Sequence, residues 1–417
     1  MPSISLGPQG RRRLTLYAWV ILAIQVLGLL IWSVRFYLLD DWTAPMVGID
    51  FPVFWSATQV TIEHGVAAIF SPQWMFPMEE ALRHDAGYYS PWPYPPTFLL
   101  AVFPLGLLSF GYALILYFGL GVFAYGAMLA KIARKIDRLW LPLLAAFPGV
   151  SVAIGLGQNS LFTVAAAGAA LALLETGSGL AGVCIALLAI KPQFGILFPL
   201  ALICGRHWKV LGVSAFCTLA FVGITTAVFG REAWDAFFAA FPVFRRIIVE
   251  DGGHLVWIGM PTVFSWGRAF GLSVSAAYVA HGLVALPAVL MMSVLWVKRA
   301  RFELRAVSFV AATLLMQPYI MFYDLVWLIL PILFLMRDAK VKALNRMEWV
   351  VLAAAWLAPA QGILAAYLAK SLGLYLQIVP AVLLALLAIV MRRHFASASA
   401  QSHVFQVLVD RSPSVSP

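Results

Sequence analysis

The stretch RRRLTLYAWVILAIQVLGLLIWSVRFYLL, residues 11–39, decides the fold class. Three arginines precede an apolar run over residues 14–39, longer than the roughly 20 residues a spanning helix needs, so the segment is read as crossing a membrane and staying there rather than as a cleavable leader. The rest of the chain agrees. Of its 417 residues, 63% are hydrophobic and 11% are charged, and the mean hydropathy is +0.91. One soluble core cannot bury that much apolar side chain, and the class is an all-α polytopic membrane protein.

A net charge of +10 raises the question of a nucleic-acid partner. The basic residues fall in short clusters between apolar runs, the pattern of cytoplasmic loops, so no nucleic acid is expected. Cys184, Cys204 and Cys217 lie within or beside apolar runs without metal-ligand spacing and are read as small hydrophobes.

The basic clusters at 11–13, 131–138, 206–209, 298–305, 337–346 and 392–394 serve as a topology ruler. With all of them cytoplasmic, an even number of crossings separates each from the next. Residues 14–39 go out and 98–130 return, leaving 40–96 as a long external loop. Residues 139–154 and 161–174 pair around the break GLGQN (155–159), and 180–190 and 194–204 pair around KPQ (191–193). Residues 210–229 then go out, a second external loop covers about 230–266, and 272–297 returns. Residues 306–315 and 325–336 pair around QPYIMFYD (317–324), and 349–368 with 372–391 close the chain. The total is about 12 crossings in a single transmembrane domain, residues 14–391, with both termini cytoplasmic. Residues 1–13 form the N-terminus, and 392–417 are read as a Ser-rich disordered tail.

Several of these segments are too short for a straight span, which points to broken helices whose ends line a protein-enclosed cavity. Both long loops and all the interrupted pairs open on the external side, where Asp50, Gln158, Lys191 and Asp324 can approach one another. The stretch GIDFPVFWSA (48–57) puts Asp50 just beyond the first apolar segment, shielded on one side and reachable by a polar substrate on the other. Residues 54–69 and 74–82 carry apolar side chains at helical spacing beside Glu63, His64, Glu79 and Glu80, as helices lying in the interface do. Trp92, Tyr94 and Pro95-Pro96 return the chain to the membrane through a rigid aromatic turn.

In this order, DFPVFWSA (50–57), YPPTFLLAVFPLGLL (94–108), GLGQNSLFTVAAAGAA (155–170), AGVCIALLAIKPQFGILFPL (181–200) and PYIMFYDLVWLILP (318–331) carry a resemblance. The chain resembles the bacterial glycosyltransferase family 87, membrane enzymes of the GT-C superfamily that include polyprenyl-phosphate-mannose-dependent mannosyltransferases. The resemblance implies a GT-C-type bundle in the bacterial inner membrane. It implies transfer of a hexose, mannose by family weight, from a polyprenyl-phosphate sugar to a hydroxyl of a lipid or glycan acceptor on the external face, with inversion. The donor is a substrate, and no cofactor is expected. The acidic residue of the first external loop, the catalytic base in such enzymes, maps onto Asp50. The chain departs from the pattern at Tyr319, where the last motif often has a histidine.

Inverting transfer needs one base for the acceptor proton and groups that stabilise charge on the departing phosphate; one carboxylate suffices, unlike the pair in a glycoside hydrolase. Asp50 fits the base role, against the alternative of an exposed acid capping the next helix. Asp40 and Asp41 compete but lack an aromatic framework. Lys191 interrupts an apolar run, where a charge must be paired or face a wet cavity; it binds a donor phosphate or forms a structural ion pair with Asp324 or Glu250. Gln158 and Asn159 bind sugar or satisfy freed helix ends. Asp324 belongs to the site or caps the helix it begins. Arg245, Arg246 and His254 clamp a phosphate or snorkel to the interface. No His/Asp cluster indicates a metal, with Asp85 and Asp251 the weak external candidates. A transporter or flippase of a lipid-linked sugar is the alternative class, and it would call for inverted repeats and midplane charges that the sequence does not display.

Overall fold

The computed structural model describes residues 8–85, 89–372 and 375–410, and among them there is no strand. Helix α1 (Pro8–Leu38) lies along the outside of the bundle, with only 6% of its apolar window buried by protein. Polar side chains fasten it: Gln25 Nε2 donates to the Ala146 carbonyl at 2.9 Å, Gln25 Oε1 accepts from Ser151 Oγ at 2.7 Å, and the Tyr37 hydroxyl donates to the Val47 carbonyl at 2.7 Å.

The first loop folds into α2 (Phe51–His64) and α3 (Pro72–Arg83). Their positions match the expected interfacial helices, but α2 is not laid out on a lipid surface. Phe51, Phe54 and Val60 join Met75, Trp92, Phe98 and Leu99 in one buried cluster, because the aromatic return after residue 90 supplies protein to cover the face that periodicity marks as apolar. Glu79, expected on an interfacial helix, is buried, and so is Arg83. The segment expected over 98–130 is two helices, α4 (Pro96–Gly106) and α5 (Phe110–Ala133). Ser109 is extended between them, and α4 folds back so tightly on α2 that a Cβ at Gly106 would fall inside the Thr58 side chain.

The three expected breaks are present. Helices α6 (Leu141–Ala145) and α7 (Pro148–Leu156) stop at Gly157, and α8 (Ser160–Glu175) begins three residues later. Helix α9 (Leu180–Ala186) and a 3-10 turn end at Lys191 before α10 (Leu197–Cys204). After these come α11 (Trp208–Phe229), α12 (Glu232–Phe244) with a π-helical turn at Arg245–Glu250, and α13 (Gly253–Gly259). Helices α14 (Val263–Ala269), α15 (Val274–Val297) and α16 (Phe302–Met316) lead to the third break, followed by the 3-10 helix Phe322–Leu328 and α17 (Ile329–Asp338). Helices α16 and α17 are buried nearly all round, as central helices must be. The chain closes with α18 (Arg346–Leu357), α19 (Gln361–Leu372) and α20 (Val379–Asp410).

Among the described residues, six helical stretches are long and apolar enough to cross a membrane: Gln9–Leu38, Phe110–Ala133, Arg138–Leu156, Trp208–Phe229, Val274–Val297 and Val379–Ala396. Ser160–Glu175, Leu180–Ile190 and Pro192–Cys204, members of the first two broken pairs, are shorter. Part of the tail expected to be disordered, 392–410, instead continues α20, its Ala and Gln residues being compatible with helix; residues 411–417 lie outside the described residues.

Two polar zones occupy opposite ends of α8. At its start Ser160 Oγ donates to Asp324; at its end Glu175 accepts from Lys135 at 2.7 Å and Arg337 at 2.5 Å. Sixteen helical residues separate these ends by about 24 Å, close to the thickness of a bilayer core. The second zone extends through Arg337–Glu303, Arg301–Asp338, Arg393–Asp338, Arg393–Glu348 and Arg392–Glu348. Basic clusters far apart in the chain thus gather at one end of the bundle, and the breaks gather at the other.

Candidate active site

Asp50 is held by the break between α7 and α8. Gly48 N–H donates to the Gly155 carbonyl at 2.8 Å and Asp50 N–H to the Leu156 carbonyl at 3.0 Å, docking the loop on the end of α7. The approach requires glycine: Gly157 has φ +74°, and a Cβ there would stand 2.8 Å from the Gly48 Cα. With the backbones this close, Gln158 Nε2 donates to Asp50 Oδ2 at 2.6 Å, while Gln158 Oε1 accepts from the Tyr94 hydroxyl at 2.9 Å.

Asp50 occupies the position before α2 without capping it by its side chain. Among the described residues, Gln158 is its hydrogen-bonding side chain, bound at Oδ2, which leaves Oδ1 for another donor. Burial raises its carboxyl above the ordinary carboxylate range, against the Gln158 hydrogen bond and the charges of Arg83 and Lys191, which draw it down. The competitors differ. Asp41 is tied to Arg35 at 2.5 Å and to Thr43, and Asp40 is exposed.

Lys191 and Asp324 meet at 2.6 Å, both almost wholly buried. Of the partners considered for Lys191, Asp324 is the one it has. Asp324 Oδ1 also accepts from Ser160 Oγ at 2.7 Å, and Oδ2 accepts from Met321 N–H at 3.2 Å, so this carboxylate both pairs with the lysine and starts the 3-10 helix. The Lys191 ammonium sits 5.0 Å from the Tyr323 ring centroid and 5.4 Å from that of Phe194. Asn159 neither caps α8 nor meets another group: its side-chain oxygen and nitrogen are buried without partners.

Beside this pair opens a cavity of about 890 Å³. Its polar lining includes Lys191, Tyr94, Gln193, Gln317, Tyr319, Tyr323 and Arg245, with Ser214, Thr218 and Tyr278; apolar residues, mostly of α9 to α12, make up most of the rest. Tyr94 belongs to both parts of the site, hydrogen-bonded to Gln158 and lining the cavity. Arg245 pairs with Glu250 at 3.2 Å. Arg246 and His254 are not brought here: Arg246 is exposed and faces Asp251 at 3.7 Å, and His254 packs beside Trp257 and Tyr375. Arg245 and Arg246 open the π-helical turn as sequence neighbours, yet Arg245 meets the cavity and Glu250 while Arg246 meets Asp251. Tyr319 lies in the cavity wall, edge-on to Phe244 at 5.7 Å.

A family model described as glycosyltransferase family 87 matches residues 92–318, more than half of the chain. The chain belongs to this family. No curated protein and no solved structure matches it. The stretch shared with family 87 contains Tyr94, Gln158, Asn159, Lys191, Arg245 and Gln317; Asp50 and Asp324 are the groups that the rest of this glycosyltransferase adds to it.

Sequence reasoning missed four polar residues of the family 87 enzyme's site. Tyr94 is read as an interfacial anchor, yet its hydroxyl orients Gln158. Ser160 is given no role by the sequence, yet it holds Asp324. Glu79 is read as part of an interfacial helix and Arg83 is given no role, yet Arg83 Nε donates to the Ile49 carbonyl next to the candidate base at 2.8 Å. Their four-residue spacing on one helix was the available signal.

Proposed function

We propose that this glycosyltransferase moves a hexose, with mannose the favoured sugar, from a polyprenyl-phosphate donor to a hydroxyl of a lipid or glycan acceptor. Transfer takes place on the external face of the bacterial inner membrane, in a bundle of about 12 crossings with both termini cytoplasmic.

The observation that carries this reading is the composition of the cavity. Leu211, Ala215, Thr218 and Leu219 follow one face of α11, opposite Phe237, Phe238 and Phe241 of α12, so an apolar channel about 12 Å long leads to Lys191 and the tyrosines. A nucleotide would leave that wall unused. A polyprenyl chain fills it and brings its phosphate to the polar end, where the buried ammonium, with donors left beyond the one given to Asp324, offers stabilisation in a water-poor setting.

The chemistry then needs little else. The acceptor hydroxyl donates to Asp50 Oδ1; as its oxygen attacks the anomeric carbon, the proton passes to Asp50. The bond from that carbon to the phosphate oxygen breaks with its electron pair leaving on the polyprenyl phosphate. Attack opposite the leaving group inverts the anomeric carbon. Gln158 fixes the carboxylate through Oδ2, which leaves Oδ1 directed at the acceptor. The raised affinity of Asp50 for a proton makes its carboxylate a stronger base than a surface carboxylate.

Purified protein in proteoliposomes, offered radiolabelled polyprenyl-phosphate mannose or a labelled nucleotide sugar with a crude lipid and glycan acceptor fraction, tests the donor class. Label moving to product from the polyprenyl phosphate alone is expected. Transfer from the nucleotide sugar alone rejects the donor, and passage of the intact lipid-linked sugar across the bilayer without transfer supports the transporter instead.

A further inference from the structure

Glu79 and Arg83 form an ion pair at 2.7 Å with side chains 0% and 2% exposed, on a loop helix whose charges had every opportunity to face water. Burying such a pair is costly unless the geometry it enforces is needed. The guanidinium is spread over three segments: Nε donates to the Ile49 carbonyl at 2.8 Å, one terminal nitrogen to Glu79 Oε2 at 2.7 Å, and the other to Ser90 Oγ at 3.2 Å. Glu79 Oε2 also accepts from Ser90 N–H at 3.0 Å, and its Oε1 is buried with no partner.

These contacts close a ring. From Asp50 the path runs through Gln158 to Tyr94 by side-chain hydrogen bonds, along the backbone to Ser90, across to Glu79 and Arg83, and back to Ile49, the residue before Asp50. We infer that Arg83 and Glu79 are positioning residues for the transfer reaction, Glu79 holding Arg83 and Arg83 fixing the backbone from which Asp50 projects. Neither touches the cavity. The inference rests on Asp50 being the general base.

The charges acting on Asp50 are those of Arg83 and Lys191, which lower its proton affinity, while burial pushes the neighbouring Glu79 carboxyl up to about 7; the Tyr94, Tyr117 and Tyr323 hydroxyls also lie near Asp50. Removing the cation in Arg83→Gln raises the Asp50 proton affinity and moves the acid limb of the rate profile to higher pH, by about half a unit or more. Below about pH 7 Glu79 is largely protonated, so Glu79→Gln removes little charge; it loosens the hold on Arg83, and kcat falls while the limb stays near its wild-type position. Arg83→Lys retains the charge and loses the three-way fork, so its limb stays near the wild-type position while kcat falls. For Arg83→Gln we expect kcat to drop about tenfold or more, with donor KM within about twofold of wild type.

The experiment measures kcat, KM and the pH profile of transfer for wild type, Arg83→Gln, Arg83→Lys, Glu79→Gln and Asp50→Asn, each checked as a monodisperse species in detergent. A limb moved to higher pH in Arg83→Gln but not in Arg83→Lys or Glu79→Gln, kcat lowered in all three and Asp50→Asn inactive support the proposal. An unshifted profile and undiminished kcat in Arg83→Gln, with Asp50→Asn inactive, overturn it and leave the base intact. Loss of the folded species in every pair variant, Arg83→Lys and Glu79→Gln included, shows a purely structural pair and also overturns it. Activity in Asp50→Asn overturns the base assignment and this inference together.

Discussion

Lys191→Met separates structural from chemical use of the buried lysine. The substitution keeps the length of the side chain and removes the ammonium, leaving Asp324, 1% exposed, with Ser160 Oγ and the Met321 N–H as its remaining donors. A buried carboxylate that loses its cation costs about 3–5 kcal/mol of stability. The double variant Lys191→Met/Asp324→Asn removes the stranded charge, and an asparagine can still hydrogen-bond Ser160 and Met321. Its stability should return to within about 1–2 kcal/mol of wild type, a hydrogen bond or two being the residual loss. If Lys191 served only to neutralise Asp324, transfer would return with stability. If it also meets the donor phosphate, transfer stays down by about a hundredfold, as loss of one stabilising donor in a dry site does. Unfolding in mixed micelles followed by tryptophan fluorescence reports the first quantity, and initial rates of label transfer at saturating donor report the second. A single variant as stable as wild type, or a double variant recovering stability and rate together, refutes the reasoning.

Gly157→Ala must place a side chain in the left-handed region against the Gly48 backbone. It should cost about 1–2 kcal/mol from the backbone conformation alone, and more from the collision; transfer should fall further than donor binding does, as isothermal titration of the donor would reveal. Since Asp50 acts as its carboxylate and burial raises its proton affinity, the rate should fall as pH drops through a midpoint above the usual value of about 4; a profile flat down to pH 4 contradicts this. At the opposite end, Arg393→Met strips the cation shared by Asp338 and Glu348. The expected outcome is a loss of about 3–5 kcal/mol in the same unfolding assay with donor KM unchanged.

The parts of this molecule that could be foreseen follow from rules acting along the chain. Apolar length announces a membrane, and glycine, proline or charge within an apolar run announces a break; the breaks at 155–159, 191–193 and 317–324 carry Gln158, Lys191 and Asp324 into contact range for that reason. What escaped depends on contacts between segments. Periodicity shows that α2 and α3 have apolar faces but not that Trp92 and Phe98 cover them. It shows Glu79 and Arg83 as helical charges but not that the helix turns them inward towards Ile49. The fold of α4 back on α2 depends on Gly106 meeting Thr58, which no local signal states. Arg245 and Arg246 read as equals, and only the fold shows one in the cavity wall and the other against Asp251. Tyr319, where the family pattern often has histidine, lies in the cavity wall with Lys191 and Arg245, so cations remain beside it.

The most direct measurement is transfer from radiolabelled polyprenyl-phosphate sugar by wild type and Asp50→Asn reconstituted side by side, with donor binding measured on both. Asparagine preserves the shape and can still hydrogen-bond Gln158, so the account predicts donor binding within about twofold and a rate lower by about a hundredfold or more. An Asp50→Asn protein that binds donor and retains more than about a tenth of the wild-type rate would contradict it.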